Sequence, residues 1–277
     1  MIQVGRHNLL RVVKDTPQGY YLTDEEGEQE ILLPVKYIPE GVLVGDEINV
    51  FVYLDSEARI ICTTLKPTIE VLKFAYLEVL NTTEYGAFLD FGIAKDLFVP
   101  ISEQAQKMHI GEKYIVFMFI DQETQRLSAS SKINQFVEQE FITVSDGEEV
   151  ELLITQKTDL GYNVIINDIH KGLIYNNEVF KNLDVGYRCK GYIKTVREDG
   201  KIDVTLQKQG YSNVEPNAQK ILNVLKVNNG FLPLTDKSNP DEIYSKLEMS
   251  KKTFKKAIGS LYKQKLVKLE PNGIKLV

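Results

Sequence analysis

The chain of 277 residues is 43% hydrophobic and 26% charged, the balance of a globular protein, which excludes disorder as its general state. It holds no run of about 18 apolar residues and no signal-peptide segment over Met1–Arg6, so a cytoplasmic location without a membrane partner is expected. The net charge of −6 conceals a division: residues 1–211 carry 21 Lys and Arg against 33 Asp and Glu, a balance of −12, while residues 212–277 carry 12 against 6, a balance of +6. Such a split predicts a polyanion-binding segment attached to modules that cannot rely on gross electrostatics.

In chain order, one pattern occurs three times before the basic segment. A glycine precedes an apolar or aromatic stretch; a Leu-rich stretch, a Val/Ile-Gly step opening a β-branched run, and a basic residue before an apolar strand follow. The first copy reads Gly19-Tyr20-Tyr21-Leu22, Leu32-Leu33-Pro34, Val44-Gly45-Asp46 and Arg59-Ile60. The second reads Gly86-Ala87-Phe88-Leu89, Phe98-Val99-Pro100, Ile110-Gly111-Glu112 and Arg126-Leu127. The third reads Gly161-Tyr162-Asn163-Val164, Leu173-Ile174-Tyr175, Val185-Gly186-Tyr187 and Lys201-Ile202. Gly19 and Gly86 lie 67 residues apart and Gly45 and Gly111 lie 66 apart, while Gly86 to Gly161 and Gly111 to Gly186 are both 75. Spacings this long exceed those of solenoids, so each copy is expected to bury a core of its own. Units of about 65 residues are near the lower limit of self-sufficiency, which predicts contacts between them. The expected division is 1–66, 67–143, 144–211 and 212–277.

Within each copy the apolar residues alternate, most clearly in Asp46–Leu54, where Ile48, Val50, Val52 and Leu54 share one face. Five short strands in so few residues predict a small closed Greek-key barrel of the OB type. The opposite face of the same run carries Phe51 and Tyr53 in the first copy, Phe117 and Phe119 in the second, and Arg188, Lys190, Tyr192 and Lys194 in the third. Outward aromatics either stack bases or seal interfaces between units. Phe117 and Phe119 are expected to seal, and Tyr85 and Phe88 to bind. Cys62 and Cys189 fall on predicted strands in different copies and read as small buried hydrophobes.

The second copy, through Tyr85-Gly86-Ala87-Phe88-Leu89, Leu97-Phe98-Val99-Pro100-Ile101-Ser102-Glu103, Ile110-Gly111-Glu112, Ile120-Asp121 and Arg126-Leu127-Ser128, resembles the S-one RNA-binding domain. The resemblance implies single-stranded RNA lying across an aromatic patch flanked by an acidic and a basic side chain. It implies that Tyr85 and Phe88 stack bases, Asp121 accepts from a base or sugar, and Arg126 reaches phosphate. Pro100, like Pro34 in the first copy, stands where that family often has a stacking histidine. The first copy keeps Tyr21, Asp55 and Arg59 but has Gln18 in place of Tyr85. The third has Tyr175 in the histidine position and Lys201 in the arginine position, while Leu160 and Asn163 replace the two aromatics and Arg197 falls near the acidic position. Here charge is expected to compensate, because Arg188, Lys190, Lys194, Arg197 and Lys201 crowd together around Tyr192.

Residues 216–277 change period. Pro216 to Val227 predicts a helix, Asn239-Pro240-Asp241-Glu242 caps a second, and Ser250 caps a third in which Phe254, Ala257, Ile258 and Leu261 form one apolar stripe. Lys251, Lys252, Lys255, Lys256 and Lys263 lie on its other faces. A hairpin over 266–277 completes a winged helix, whose third helix can enter a groove of nucleic acid. Lysines without arginine suit phosphate better than base edges, so sequence-specific DNA reading is disfavoured. The expected fold class is therefore mainly β with a C-terminal α+β domain: three tandem OB barrels and a winged helix. That order of modules resembles the conserved virulence factor B family of bacterial RNA-binding regulators, which implies post-transcriptional regulation with RNA held by barrels and winged helix.

His7, His109 and His170 occur in three unrelated contexts, and no metal-ligand spacing, phosphate-binding loop or nucleophile elbow is present. Neither a catalytic site nor a cofactor is expected. The reading is a binding protein for single-stranded RNA; the alternatives are a duplex DNA-binding regulator acting through the winged helix, or a scaffold for ribosomal or RNA-degradation proteins.

Overall fold

The computed structural model describes residues 1–179, 183–207 and 216–277. The expected boundary between residues 211 and 212 falls outside the described residues. Among the described residues, eighteen strands and three α-helices follow one another as three closed five-stranded barrels and a helical domain with a three-stranded sheet.

The first barrel comprises β1 (His7–Thr16), β2 (Gly19–Thr23), β3 (Ile31–Pro34), β4 (Glu47–Leu54) and β5 (Ile60–Thr63), closed in the order β1-β2-β3-β5-β4. The second comprises β6 (Phe74–Thr82), β7 (Gly86–Leu89), β8 (Leu97–Pro100), β9 (Lys113–Ile120) and β10 (Leu127–Ser130). The third comprises β11 (Glu149–Lys157), β12 (Gly161–Ile166), β13 (His170–Tyr175), β14 (Arg188–Val196) and β15 (Ile202–Thr205). All three share one topology, including the parallel pairing of the third strand with the fifth. Closure leaves no free sheet edge.

The recurring glycines mark where two strands touch. A Cβ on Gly19, Gly86 or Gly161 would collide with the carbonyl oxygen of Leu33, Val99 or Ile174 on the adjoining strand. The second recurring glycine opens the fourth strand from a left-handed turn, with φ of +102° at Gly45, +81° at Gly111 and +87° at Gly186.

The barrels pack in series through the outward face of the fourth strand. Val50 and Val52 fill the first core, while Phe51 and Tyr53 point away from it and are buried with Phe91 in the second barrel's apolar cluster. Phe51 meets Phe91 edge-on at 6.4 Å between centroids. One barrel later Phe117 and Phe119 do the same: the Phe136 ring stacks on them at 4.4 and 5.8 Å, and Phe117 joins Phe74, Leu153 and Ile165 in the seam with the third barrel. Burying a phenylalanine contributes about 1.5–3 kcal/mol, a large addition to a core this small. In the third barrel the same face is charged, and the next described domain is helical. Cys62 is fully buried, which pushes its thiol up to about 12, while Cys189 is half-buried; neither is in a disulfide.

The C-terminal domain comprises α1 (Pro216–Val227), β16 (Phe231–Leu232), α2 (Pro240–Leu247), α3 (Lys251–Lys263), β17 (Val267–Glu270) and β18 (Gly273–Leu276). The Asn239 side chain accepts from the Asp241 amide at 3.1 Å, and the Ser250 hydroxyl accepts from the Thr253 amide at 3.1 Å, so both caps form as the sequence predicts. Phe254, Ala257, Ile258 and Leu261 are buried against α1 and the sheet. The short β16 was not predicted; two residues carry no periodicity.

Candidate nucleic-acid interface

In each barrel the second, third and fifth strands bring one outward side chain each to a common face, and the pairing register identifies them. They are Tyr21, Leu32 and Ile61 in the first barrel; Phe88, Phe98 and Ser128 in the second; and Asn163, Leu173 and Asp203 in the third. Only the second face presents two rings side by side, with Phe88 and Phe98 at 5.1 Å between centroids and tilted by 41°. Both are half-buried, and Tyr85 beside them, just before β7, is 72% exposed. Phe98 was missed as a site residue in the sequence. Its signal was the alternation Leu97-Phe98-Val99, in which Leu97 and Val99 are core and Phe98 must face out.

The loop before each face is equivalent down to its backbone bonds. The amide of Val35 donates to Gln18, that of Ile101 to Tyr85 and that of Asn176 to Leu160, so these three positions correspond. The turn between the fourth and fifth strands is likewise shared: the amides of Asp55, Asp121 and Arg197 donate to the carbonyls of Arg59, Arg126 and Lys201, each at 2.9 Å. Arg197 thus occupies the acidic position of the other two barrels.

The charged residues expected to flank the aromatic patches have intramolecular partners. Asp121 Oδ1 accepts from the amides of Thr124 at 2.7 Å and Glu123 at 3.1 Å and from the Thr124 hydroxyl at 2.8 Å; these bonds hold its carboxyl below the usual range and shape the turn. Arg126 donates to the Ser56 carbonyl of the first barrel at 3.2 Å. Arg59 is held by Asp55 at 2.7 Å and by Glu57 at 2.9 Å. Desolvation opposes ionisation of Asp55, but the Arg59 amide and guanidinium outweigh it, and its carboxyl lies below the usual range.

On the third barrel, where a positive patch was expected, each of its cations faces a carboxylate. Arg188 meets Asp168 at 2.8 Å and donates to the Phe74 carbonyl at 2.5 Å, making it a clasp between the second and third barrels. Lys190 pairs with Glu149 at 2.7 Å, and the Tyr192 hydroxyl donates to the same carboxylate at 3.0 Å. Lys194 pairs with Glu178 at 2.5 Å, Arg197 with Asp203 at 2.8 Å and Lys201 with Asp199 at 2.7 Å. Arg197 also donates to the Tyr175 hydroxyl at 2.5 Å, so Tyr175, a half-buried ring at the register of Pro34 and Pro100, is fixed in place.

On α3 the opposite holds. Lys252, Lys256 and Lys263 project from the side opposite the buried stripe, with Gly259 between them facing open space. Among the described residues Lys252 and Lys263 make no ion pair, and Lys255 reaches Asp236 only at 3.9 Å. Lys251 donates to the Lys237 carbonyl at 3.4 Å.

Two of the three histidines hold structural contacts. The fully buried His170 ring joins Thr143 Oγ1 at 2.7 Å and the Glu138 carbonyl at 3.1 Å, tethering the segment between the second and third barrels. His7 bonds Glu70 at 2.6 Å in the first seam. Among the described residues no group of three or more His, Cys, Asp or Glu is placed to hold a metal ion. No helix among the described residues is long and apolar enough to cross a membrane.

Comparison with known proteins assigns the modules. Residues 4–65 and 73–132 match the S1 domain, and residues 219–276 match the CvfB-like winged helix domain. Conserved virulence factor B of Staphylococcus saprophyticus is 26% identical over 290 residues, covering 99% of this chain and 94% of that protein. The chain belongs to the conserved virulence factor B family. The uncharacterized protein YitL of Bacillus subtilis is another relative, 28% identical over 94% of this chain and 89% of its own length. A crystal structure of a multidomain protein with nucleic acid binding domains from Streptococcus pneumoniae aligns over 99% of this chain and 98% of that one, at 22% identity and a TM-score of 0.43. The S1 matches stop before the third barrel, whose face has lost both rings. Membership in the virulence factor B family, with its S1 domains, supports nucleic-acid binding.

Proposed function

We propose that this member of the virulence factor B family is a cytoplasmic, non-enzymatic protein that binds single-stranded RNA and regulates its use after transcription. The observation that carries the reading is the Phe88–Phe98 pair beside the exposed Tyr85, a platform of three aromatic rings gathered at one face. Every base offers a π-face, and each base stacked on an aromatic contributes roughly 1–3 kcal/mol whatever its identity, so an acidic barrel can hold a strand without net attraction. The modules act as 1–66, 67–143, 144–211 and 212–277. Tyr21 and Tyr175 give the outer barrels one ring each, and the winged helix supplies phosphate contacts through Lys252 and its neighbours on α3.

The test is binding of a labelled single-stranded RNA to the full chain and to Phe88→Ala with Phe98→Ala. A loss of more than tenfold with an unchanged melting temperature is expected. Undiminished binding would remove the platform. Competition by duplex DNA at equal nucleotide concentration separates the RNA reading from a DNA-binding regulator. Partners that co-purify after nuclease treatment, with no RNA affinity, would establish a scaffold instead.

A further inference from the structure

The body formed by the three barrels is strongly acidic, yet three adjoining grooves on its second and third barrels are not. Beside Tyr85, Thr83, Gln104 and Lys107 line a groove that continues past Gln106 into the cleft between the second and third barrels. Lys113, Asn134 and Gln156 line that cleft, and it opens past Asn163 and Lys171 onto the third barrel's face, where Tyr175, Arg197 and Lys201 stand. Adjoining grooves share their boundary residues, Gln106 for the first step and Asn163 with Lys171 for the second. No described residue lining the first two grooves is acidic. The third holds Asp199 and Asp203, which are engaged by Lys201 and Arg197.

With 33 carboxylates against 21 cations over residues 1–211, a path bare of unpaired carboxylates is a route along which a polyanion is not repelled. Its walls offer amide side chains and ammonium groups, which suit phosphate and sugar oxygens and carry no base preference. Lys171, exposed and with its ammonium bonded among the described residues to the Asn134 amide oxygen at 3.2 Å and to no carboxylate, can turn to a phosphate without breaking an ion pair.

We infer that the cleft between the second and third barrels is a binding site for the sugar-phosphate backbone of a single strand, joining the Phe88–Phe98 platform to the Tyr175 face. It rests on the platform being a strand-binding site. Because one strand occupies platform, cleft and far face together, binding strengthens with length beyond what one barrel covers.

The experiment measures affinity of oligouridylates by fluorescence anisotropy on the full chain. The probes are a short oligomer of about 4 nucleotides, the smallest site of an OB barrel, and one of about 20. Lys171→Glu and Gln106→Glu, at opposite ends of the cleft, are compared with Phe88→Ala. The cleft variants are expected to leave the short oligomer unaffected and to weaken the long one at least tenfold, whereas Phe88→Ala weakens both. Melting curves identical to the parent exclude misfolding, and either cleft variant alone suffices. If both cleft variants bind the long oligomer like the parent while Phe88→Ala does not, the cleft proposal is overturned and the platform stands. If Phe88→Ala binds like the parent as well, both readings fall.

Discussion

The third barrel and the winged helix each bring a dense group of cations to the surface, and the fold treats them in opposite ways. Arg188, Lys190, Lys194, Arg197 and Lys201 are met by Asp168, Glu149, Glu178, Asp203 and Asp199. On α3, Lys252 and Lys263 meet no carboxylate among the described residues, and Lys255 meets only a distant one. The difference follows from secondary structure. A strand's neighbours come from other strands, so Glu149 reaches Lys190 from 41 positions away. A helix's neighbours lie three or four positions along, so the acid-free run of α3 is already a statement about its surface. Charge runs are therefore readable on helices and unreadable on strands.

The comparison breaks most visibly at the aromatic platform, where charge plays no part. Phe88→Ala with Phe98→Ala is expected to remove roughly 1–3 kcal/mol of RNA affinity per base unstacked while leaving the salt dependence as it was, measured by titration at several ionic strengths. Next in size, Lys252→Ala with Lys263→Ala should lower the slope of log affinity against log salt by about 1.4, since each lost phosphate contact on a single strand removes about 0.7. Lys190→Ala with Lys201→Ala should leave that slope unchanged, because both ammonium groups are already neutralised; a fall as large as that of the helix variant would mean that RNA displaces the carboxylates. The smallest effect is that of acid. The carboxyls of Asp55, Asp121 and Asp199 lie below the ordinary value of 3.8. Their stabilisation is present above that value and is lost as pH falls through the depressed folded values. Urea unfolding should therefore give the same stability at pH 7 and pH 5, with a decline below about pH 4.

Much of the fold was legible because its causes are local. Gly19, Gly86 and Gly161 sit where a side chain would strike the next strand, Ser250 and Asn239 cap the helices they precede, and the stripe from Phe254 to Leu261 is the core of its domain. Phe117 and Phe119 were readable as seam residues since their alternation left them outside their own barrel. The site was less legible. Phe98 required crossing from β7 to β8, and the role of Arg126 as a tie to Ser56 joins residues 70 positions apart. Arg188 looked like a free cation and is a clasp on Phe74, because nothing within its own copy announces the neighbouring barrel.

One feature of the second seam bears on mechanics. Gly186 has φ of +87° and lies against the Tyr76 ring so closely that any side chain there would strike it. Backbone on ring is a joint without a cushion: it has no rotamers to absorb a twist, and the Arg188 clasp and Phe136 stack lie across the same junction. The second and third barrels therefore behave as a single lever.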